Sequence, residues 1–218
     1  MGRYDTVIFD LDGTLLNTLD DLTDSVNYAM AACGFASRTI DEVRQFVGNG
    51  VRKLIERSVP GGEENPRFDE AFALFKEHYL VHCNDKTCPY PGVLDLLERL
   101  SDDGMKLAIV SNKYDPAVKD LSARYFNGLI PVAIGEREGV RKKPAPDTVF
   151  EALRELDSSP KNAVYVGDSD VDIETAQRAG LACISVSWGF RGREVLQKAG
   201  AHRIVDSAQA LYEHIIEE

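Results

Sequence analysis

Two hydrophobic textures alternate along the chain. Short apolar runs rich in β-branched and aromatic residues lie at 4–9, 105–110, 132–134, 163–166, 181–186 and 203–205, and read as buried strands. Between them, apolar residues recur at helical spacing over 91–100, 115–125, 145–156, 170–179 and 208–216, with Gly180 placed to close the fourth of these. Strand and helix in alternation imply a parallel sheet covered on both faces. One stretch departs from this rhythm. From Leu19 to Cys83 only the helical period is present, carried by Leu22, Val26, Met30, Val43, Leu54, Ile55, Phe72, Phe75 and Tyr79. Gly34, the pair Gly48 and Gly50, and Pro60-Gly61-Gly62 divide it into four or five helices. The expected fold is therefore α/β. Residues 1–17 and 84–218 form a Rossmann-like parallel-sheet core with helices on both faces, and residues 18–83 form a small all-helical domain inserted after the first strand.

Totals narrow the class. The chain has 218 residues, of which 44% are hydrophobic, enough for a sizeable core. Its formal net charge of -11 repels nucleic acid and anionic membrane, so neither is expected as a partner. An anionic substrate would need a local positive site from a metal or a few Lys and Arg. No apolar run approaches about 18 residues and no signal-peptide pattern opens the sequence, so a soluble cytoplasmic protein is expected. Cys33, Cys83, Cys88 and Cys183 are irregularly spaced, as structural thiols of a reducing compartment would be. His78 and His82, four apart with Cys83 adjacent, superficially suggest a metal site; the ordinary reading is a solvent-facing helix stripe.

The candidate chemistry lies at strand ends. Asp10-Leu11-Asp12-Gly13-Thr14-Leu15 follows the first strand, and two carboxylates two residues apart would lie at the mouth of a parallel sheet, where open α/β sheets bind ligands. Asp and Gly are also ordinary turn residues. Ser111 follows the strand 105–110, where a hydroxyl and backbone amides can hold a phosphate oxygen or merely cap a turn. Lys143 lies in Arg141-Lys142-Lys143-Pro144-Ala145-Pro146, whose prolines can stiffen the loop and fix one lysine; a solvated basic loop is the alternative. Gly167-Asp168-Ser169-Asp170-Val171-Asp172 again sets carboxylates after a strand, with helix capping as the competing role. In the helical block, Gly48-Asn49-Gly50-Val51-Arg52-Lys53 can approach an anionic ligand or form a plain helix-to-helix turn.

In order and context, Asp10 with Asp12, then Ser111, Lys143, and Asp168 with Asp172 resemble the four motifs of the haloacid dehalogenase superfamily over essentially the whole chain. The likeness is strongest to its phosphoglycolate phosphatase-like subgroup. It rests on Asp-Leu-Asp-Gly-Thr-Leu, Gly48-Asn49-Gly50, Ser111-Asn112-Lys113, Lys143-Pro144-Ala145-Pro146, Gly167-Asp168-Ser169 and Trp188-Gly189. Asp170 departs from several relatives, which carry a basic or neutral residue there; it is expected to be exposed and of little consequence.

The resemblance implies that the helical insertion is a cap. It also implies a Mg²⁺-dependent phosphatase of a small phosphorylated metabolite, 2-phosphoglycolate first, working through an aspartyl-phosphate. Asp10 would then be the nucleophile, Asp12 the general acid and base, and Lys143 the catalytic cation. Ser111, Asn112, Lys143, Asn49 and Arg52 would bind substrate, and Thr14, counted with them, would fix the carboxylate geometry. The implied Mg²⁺ ligands are Asp10, Asp12 through its carbonyl, Asp168, and Asp172 directly or through water. A β-phosphoglucomutase-like phosphomutase and a pyrophosphatase are the alternatives that share this machinery. A receiver-type signalling module lacks both the helical insertion and the Asp-x-Asp-Gly-Thr. Lys53, Lys113, Arg191 and Arg193 are further candidates for specificity, and a monomer or homodimer is expected.

Overall fold

Alternation within the strands builds the core. In the computed structural model, which describes residues 4–217, Val7 and Phe9 of β1 (Thr6–Phe9) pack into one hydrophobic cluster and Ile8 into another. Successive side chains leave a strand on opposite faces, so both faces of this sheet must be covered. After β1 the chain runs through β2 (Leu16–Asn17), α1 (Leu19–Ala32), α2 (Ile40–Phe46), α3 (Val51–Ser58), a 3₁₀ turn and α4 (Phe68–His82). It continues through β3 (Cys88–Pro89), α5 (Val93–Asp102), β4 (Lys106–Tyr114), α6 (Asp115–Phe126), β5 (Val132–Glu136) and α7 (Asp147–Glu155). A second 3₁₀ turn leads to β6 (Ala163–Gly167), α8 (Asp170–Ala179), β7 (Ala182–Val186), α9 (Gly192–Lys198), β8 (Ile204–Val205) and α10 (Ala208–Glu217).

Six strands form one sheet in the order β5-β4-β1-β6-β7-β8, each neighbouring pair parallel. One face carries Leu107, Ile109, Val164 and Val166 against Leu97 and Leu100 of α5, Val118 and Leu121 of α6, and Leu211 and Ile215 of α10. The other carries Ala108, Val110 and Tyr165 against Val149, Ala152 and Leu153 of α7 and Ala176 and Ala179 of α8. The Rossmann-like α/β core expected from the sequence is present. Register then decides where the chemistry falls. Phe9 lies beside Ile109 and Val166, so Asp10 and Asp168, just past β1 and β6, and Ser111, within β4, fall on the same carboxyl side of the sheet.

The chain divides into two units: one runs to Leu16 and resumes at Pro89, and the other is Asn17–Cys88. The second is helical, with Val26, Met30, Val43, Ile55, Ala71 and Phe75 as its sealed interior. Thr39 and Glu42 close the start of α2 as a reciprocal capping box. β2 and β3 pair with one another where the chain passes from one unit to the other.

Four details differ from the sequence expectation. β4 runs on to Tyr114 instead of ending before Ser111, because after a register shift Tyr114 pairs with Glu136. Helix α7 starts at Asp147, not at 145, since Pro146 restricts the residue before it. Helix α9 has one buried residue, Leu196, and so offers no periodic stripe to read. β2 and β3 are two residues each, too short to leave a pattern. Among the described residues no helix is long and apolar enough to cross a membrane.

Candidate active site

Asp10 is the first residue past β1, and its N–H still donates to Val166 O at 2.9 Å. The chain then turns on Leu11 O, which accepts from Leu15 and Leu16 at 3.0 Å each. Gly13 sits at φ +85°, and a Cβ there would collide with the Asp168 carboxylate. Only glycine permits this turn against that group. Asp10 Oδ1 accepts from Leu11 N at 2.7 Å and lies 2.9 Å from Lys143 Nζ. Among the described residues no donor reaches Asp10 Oδ2.

Lys143 is the electrostatic centre. Its Nζ reaches Asp10 Oδ1 at 2.9 Å, Asp172 Oδ1 at 2.8 Å and Tyr165 Oη at 3.0 Å, which matches three ammonium donors with three acceptors. Asn112 Nδ2 donates to Lys143 O at 3.0 Å and ties the lysine loop to β4. Asp172 Oδ2 in turn accepts from Ser169 N at 3.1 Å and Ser169 Oγ at 2.6 Å, the capping box of α8. Asp172 therefore caps a helix and holds the lysine at once. Asp168 Oδ2 accepts from Phe190 N at 2.6 Å, and Asp168 Oδ1 from Thr14 Oγ1 at 3.4 Å. Trp188 Nε1 donates to Thr14 O at 3.0 Å and fixes the loop that carries Phe190.

Asp12 stands at the mouth, with Lys113 Nζ 2.8 Å from its Oδ1. Ser111 is buried, and its Oγ accepts from Lys113 N at 3.2 Å. Burial, helped by Asp172 and Asp12, pushes the Asp10 carboxyl up to about 7 against the pull of Lys143. Burial and the neighbouring Asp172 and Asp10 raise Asp168 well above the usual carboxylate range. Burial opposes the Lys143 charge, but Asp10 and Asp172 outweigh it and hold that ammonium well above the ordinary lysine value. Asp10, Asp168 and Asp172 each offer an oxygen within 4.8 Å of the others, a set that could hold a metal ion. Three carboxylates against one buried ammonium leave room for further positive charge.

The structure thus brings Asp10, Asp12, Thr14, Ser111, Asn112, Lys143, Asp168 and Asp172 to one edge of the sheet. Asn49 and Arg52 belong to the helical unit. There Asn49 lies between Gly48 and Gly50, both at positive φ, while Arg52 pairs with Glu63 at 2.7 Å and covers the Phe68 ring at 4.8 Å. Asp170 is exposed, with Arg191 at 3.7 Å. His78 stacks between Tyr28 and His82 and bonds Ser25 Oγ at 2.9 Å; the His pair belongs to no three-ligand group among the described residues. All four cysteines are free thiols. Sequence reading missed Tyr165, hidden inside an apolar strand, and the Phe190 amide, which no side-chain pattern announces. It named Lys113 without its partner.

Paired carboxylates, a buried lysine and the Ser111 hydroxyl on the carboxyl side of a parallel sheet define a hydrolytic site built on acids. The chain belongs to the haloacid dehalogenase-like hydrolases, whose family pattern matches residues 7–186. It is 34% identical over 195 residues to the phosphoglycolate phosphatase of Mesorhizobium japonicum, covering 87% of this chain and 85% of that one. To the phosphoglycolate phosphatase of Aquifex aeolicus it is 34% identical over 186 residues, covering 84% and 85%. A crystal structure from Lactobacillus delbrueckii subsp. bulgaricus, described as a candidate phosphoglycolate phosphatase, superposes with a TM-score of 0.92 at 37% identity over 99% and 100% of the two chains. CbbY from Rhodobacter sphaeroides, solved in complex with phosphate, superposes with a TM-score of 0.78 at 28% identity over 95% and 96%.

Proposed function

We propose that this hydrolase is a Mg²⁺-dependent phosphatase of small phosphorylated metabolites, with 2-phosphoglycolate as its first candidate substrate, acting in the cytoplasm. The observation that carries this reading is Asp10, held through Oδ1 by Leu11 N and Lys143 with Oδ2 clear of donors. A carboxylate steadied on one oxygen is a directed nucleophile on the other. The names of the relatives and the phosphate held by CbbY support the same chemistry.

Asp10 Oδ2 attacks phosphorus, the ester P–O bond breaks, and an aspartyl-phosphate forms. Asp12 gives a proton to the departing alkoxide and later takes one from the water that hydrolyses the acyl phosphate. Lys143, Ser111 and nearby backbone amides bear the charge on the transferring oxygens. Asn112 holds the lysine loop, and Thr14 steadies Asp168. Asp10, Asp168 and the Asp12 carbonyl would hold Mg²⁺, with Asp172 contributing directly or through water. When bound, the ion supplies positive charge that lets an anionic ester meet anionic acids. A cap function for the helical unit, with Asn49 and Arg52 as substrate contacts, belongs to the proposal and rests on the resemblance.

The test is phosphate release from a panel of phosphomonoesters and pyrophosphate, with Mg²⁺ and with excess EDTA, on wild type and Asp10→Asn. Metal-dependent release that vanishes in Asp10→Asn is expected. Release that survives Asp10→Asn overturns the assignment of the nucleophile. No release from any ester sinks the phosphatase reading.

A further inference from the structure

His78 and His82 take no part in the phosphoryl chemistry above, yet the structure joins them. They stand four apart at the end of α4, their rings stacked with centroids 4.3 Å apart and planes inclined by 30°. Each ring is held through Nδ1. His82 Nδ1 lies 2.8 Å from Asp85 Oδ2; an ionised carboxylate only accepts, so Nδ1 donates and Nε2 keeps its lone pair in the neutral ring. His78 Nδ1 lies 2.9 Å from Oγ of the buried Ser25, and Tyr28 stacks on the His78 ring at 4.2 Å. Neither Nε2 meets a hydrogen-bond partner among the described residues. An open cavity of about 390 Å³ is lined by the two rings with Tyr28, Asp21, Asp24 and Asp85. Asp21 is engaged by the Lys86 and Thr87 amides and Asp24 by the Lys86 ammonium at 2.6 Å, so Asp85 is the acid tied to a ring. Burial, and next His82, hold the His78 imidazole below its ordinary pKa against Asp24 and Asp85, which keeps it neutral near pH 7.

We propose that His78 and His82 form a binding site for a late first-row divalent metal ion, ligated through the two Nε2 atoms with waters completing its shell. Two neutral imidazoles one helical turn apart suit such an ion, at about 2.0–2.1 Å per nitrogen for Zn²⁺. The contact from His82 Nδ1–H to Asp85 is the carboxylate support that metal-bound histidines carry; it fixes the tautomer and aims the ring. On His78 the bound ion selects the tautomer whose Nδ1–H donates to Ser25 Oγ. No third protein ligand is gathered around the pair among the described residues, so binding is weaker than in a four-ligand site and reversible. The site belongs wholly to the helical unit. It differs in kind from the cluster of Asp10, Asp168 and Asp172, whose ligand atoms are all oxygen and suit Mg²⁺. Excess Mg²⁺ therefore does not compete for the histidines.

The test uses Zn²⁺ as the probe, because it is redox-inert, added to the full chain in excess Mg²⁺ and followed by imidazole ¹⁵N resonances. The chain has four histidines, so His202 and His214 serve as internal references. About one equivalent should move the Nε2 signals of His78 and His82 and leave the other two in place. Zn²⁺ should also raise Tm in wild type and fail to do so in His82→Gln. Binding should weaken about tenfold or more in Asp85→Ala and further still in His82→Gln, while Asp10→Asn leaves it unchanged. The His82 and Asp85 side chains are 44% and 59% exposed, so neither change disturbs the core. The proposal is overturned if His78 and His82 stay in place, if all four histidines move alike, or if the affinity survives His82→Gln. Zn²⁺ binding that is lost in Asp10→Asn and kept in His82→Gln assigns the ion to the carboxylates and overturns it as well.

Discussion

The Lys143 ammonium reaches Asp10 Oδ1 at 2.9 Å, and its side chain is 2% exposed. The same nitrogen holds Asp172, so one cation compensates two buried carboxylates. Replacing Lys143 with Met keeps much of the volume and removes the charge. Stability should fall by roughly 3–5 kcal/mol, the usual cost of stranding buried partners. Phosphate release should fall by about a hundredfold or more. Urea unfolding and a phosphate assay measure the two effects. A variant within about 1 kcal/mol of wild type would show that the pair contributes little.

The same crowding of acids makes the metal-free protein sensitive to pH. Asp10 is pushed up to about 7 from the 3.8 of a free aspartate, chiefly by burial, and Asp168 is raised in the same direction. A carboxyl raised in the folded state binds a proton that the unfolded chain has already released. Its contribution is present near pH 4 and lost as pH climbs through about 7. In EDTA, Tm should therefore drop between pH 5 and pH 8, and Mg²⁺ should restore it at pH 8 more than at pH 5, because it replaces the proton. A metal-free Tm that rises over this range would contradict the crowding.

Much of this arrangement was legible in the sequence, because strand-end position is set by backbone periodicity. Val7-Ile8-Phe9 fixes where Asp10 leaves the sheet, and the parallel alternation sets Ser111 and Asp168 at the same edge. Contacts that cross between loops were not legible. Tyr165 reads as one more apolar residue of β6, and only three-dimensional packing turns its hydroxyl toward Lys143. The Phe190 amide on Asp168 leaves no side-chain signature at all. By position alone Asp170 and Asp172 were both helix-start acids, and it was the resemblance that placed Asp172 in the site and left Asp170 exposed. Only Asp172, three residues after Ser169, sits at the position that closes the capping box and faces inward.

Gly189 shows how tightly the second acid is held. A Cβ there would fall inside the van der Waals envelope of Asp168 Cβ and Gly13 O. Neither is a flexible chain end, so Gly189→Ala must shift Asp168 or the loop that donates from Phe190 N. The expected result is a rise of about 10–100-fold in the Mg²⁺ concentration needed for half-maximal turnover, the scale on which support around metal ligands acts. Titration of activity against Mg²⁺ reads this directly. An unchanged midpoint would mean that the loop yields without moving the acid.

Tyr165 gives the sharpest test of the lysine's alignment. Its ring is fully buried, and its hydroxyl lies 3.0 Å from Lys143 Nζ, 3.2 Å from Asp172 Oδ1 and 3.4 Å from Val110 O. Burial holds the phenol well above its usual pKa despite Lys143, so it stays protonated and its O–H donates toward Asp172 Oδ1 and Val110 O. Tyr165→Phe preserves the packing and removes one acceptor from the ammonium. The loss should be about 1–3 kcal/mol in stability, as for other stranded buried donors. If Tyr165 acts only by aiming Lys143, its effect on kcat must disappear once that lysine is gone. Tyr165→Phe should therefore lower kcat in the wild-type background and leave Lys143→Met no slower than before. Fully additive losses in the double variant would give the tyrosine a role of its own.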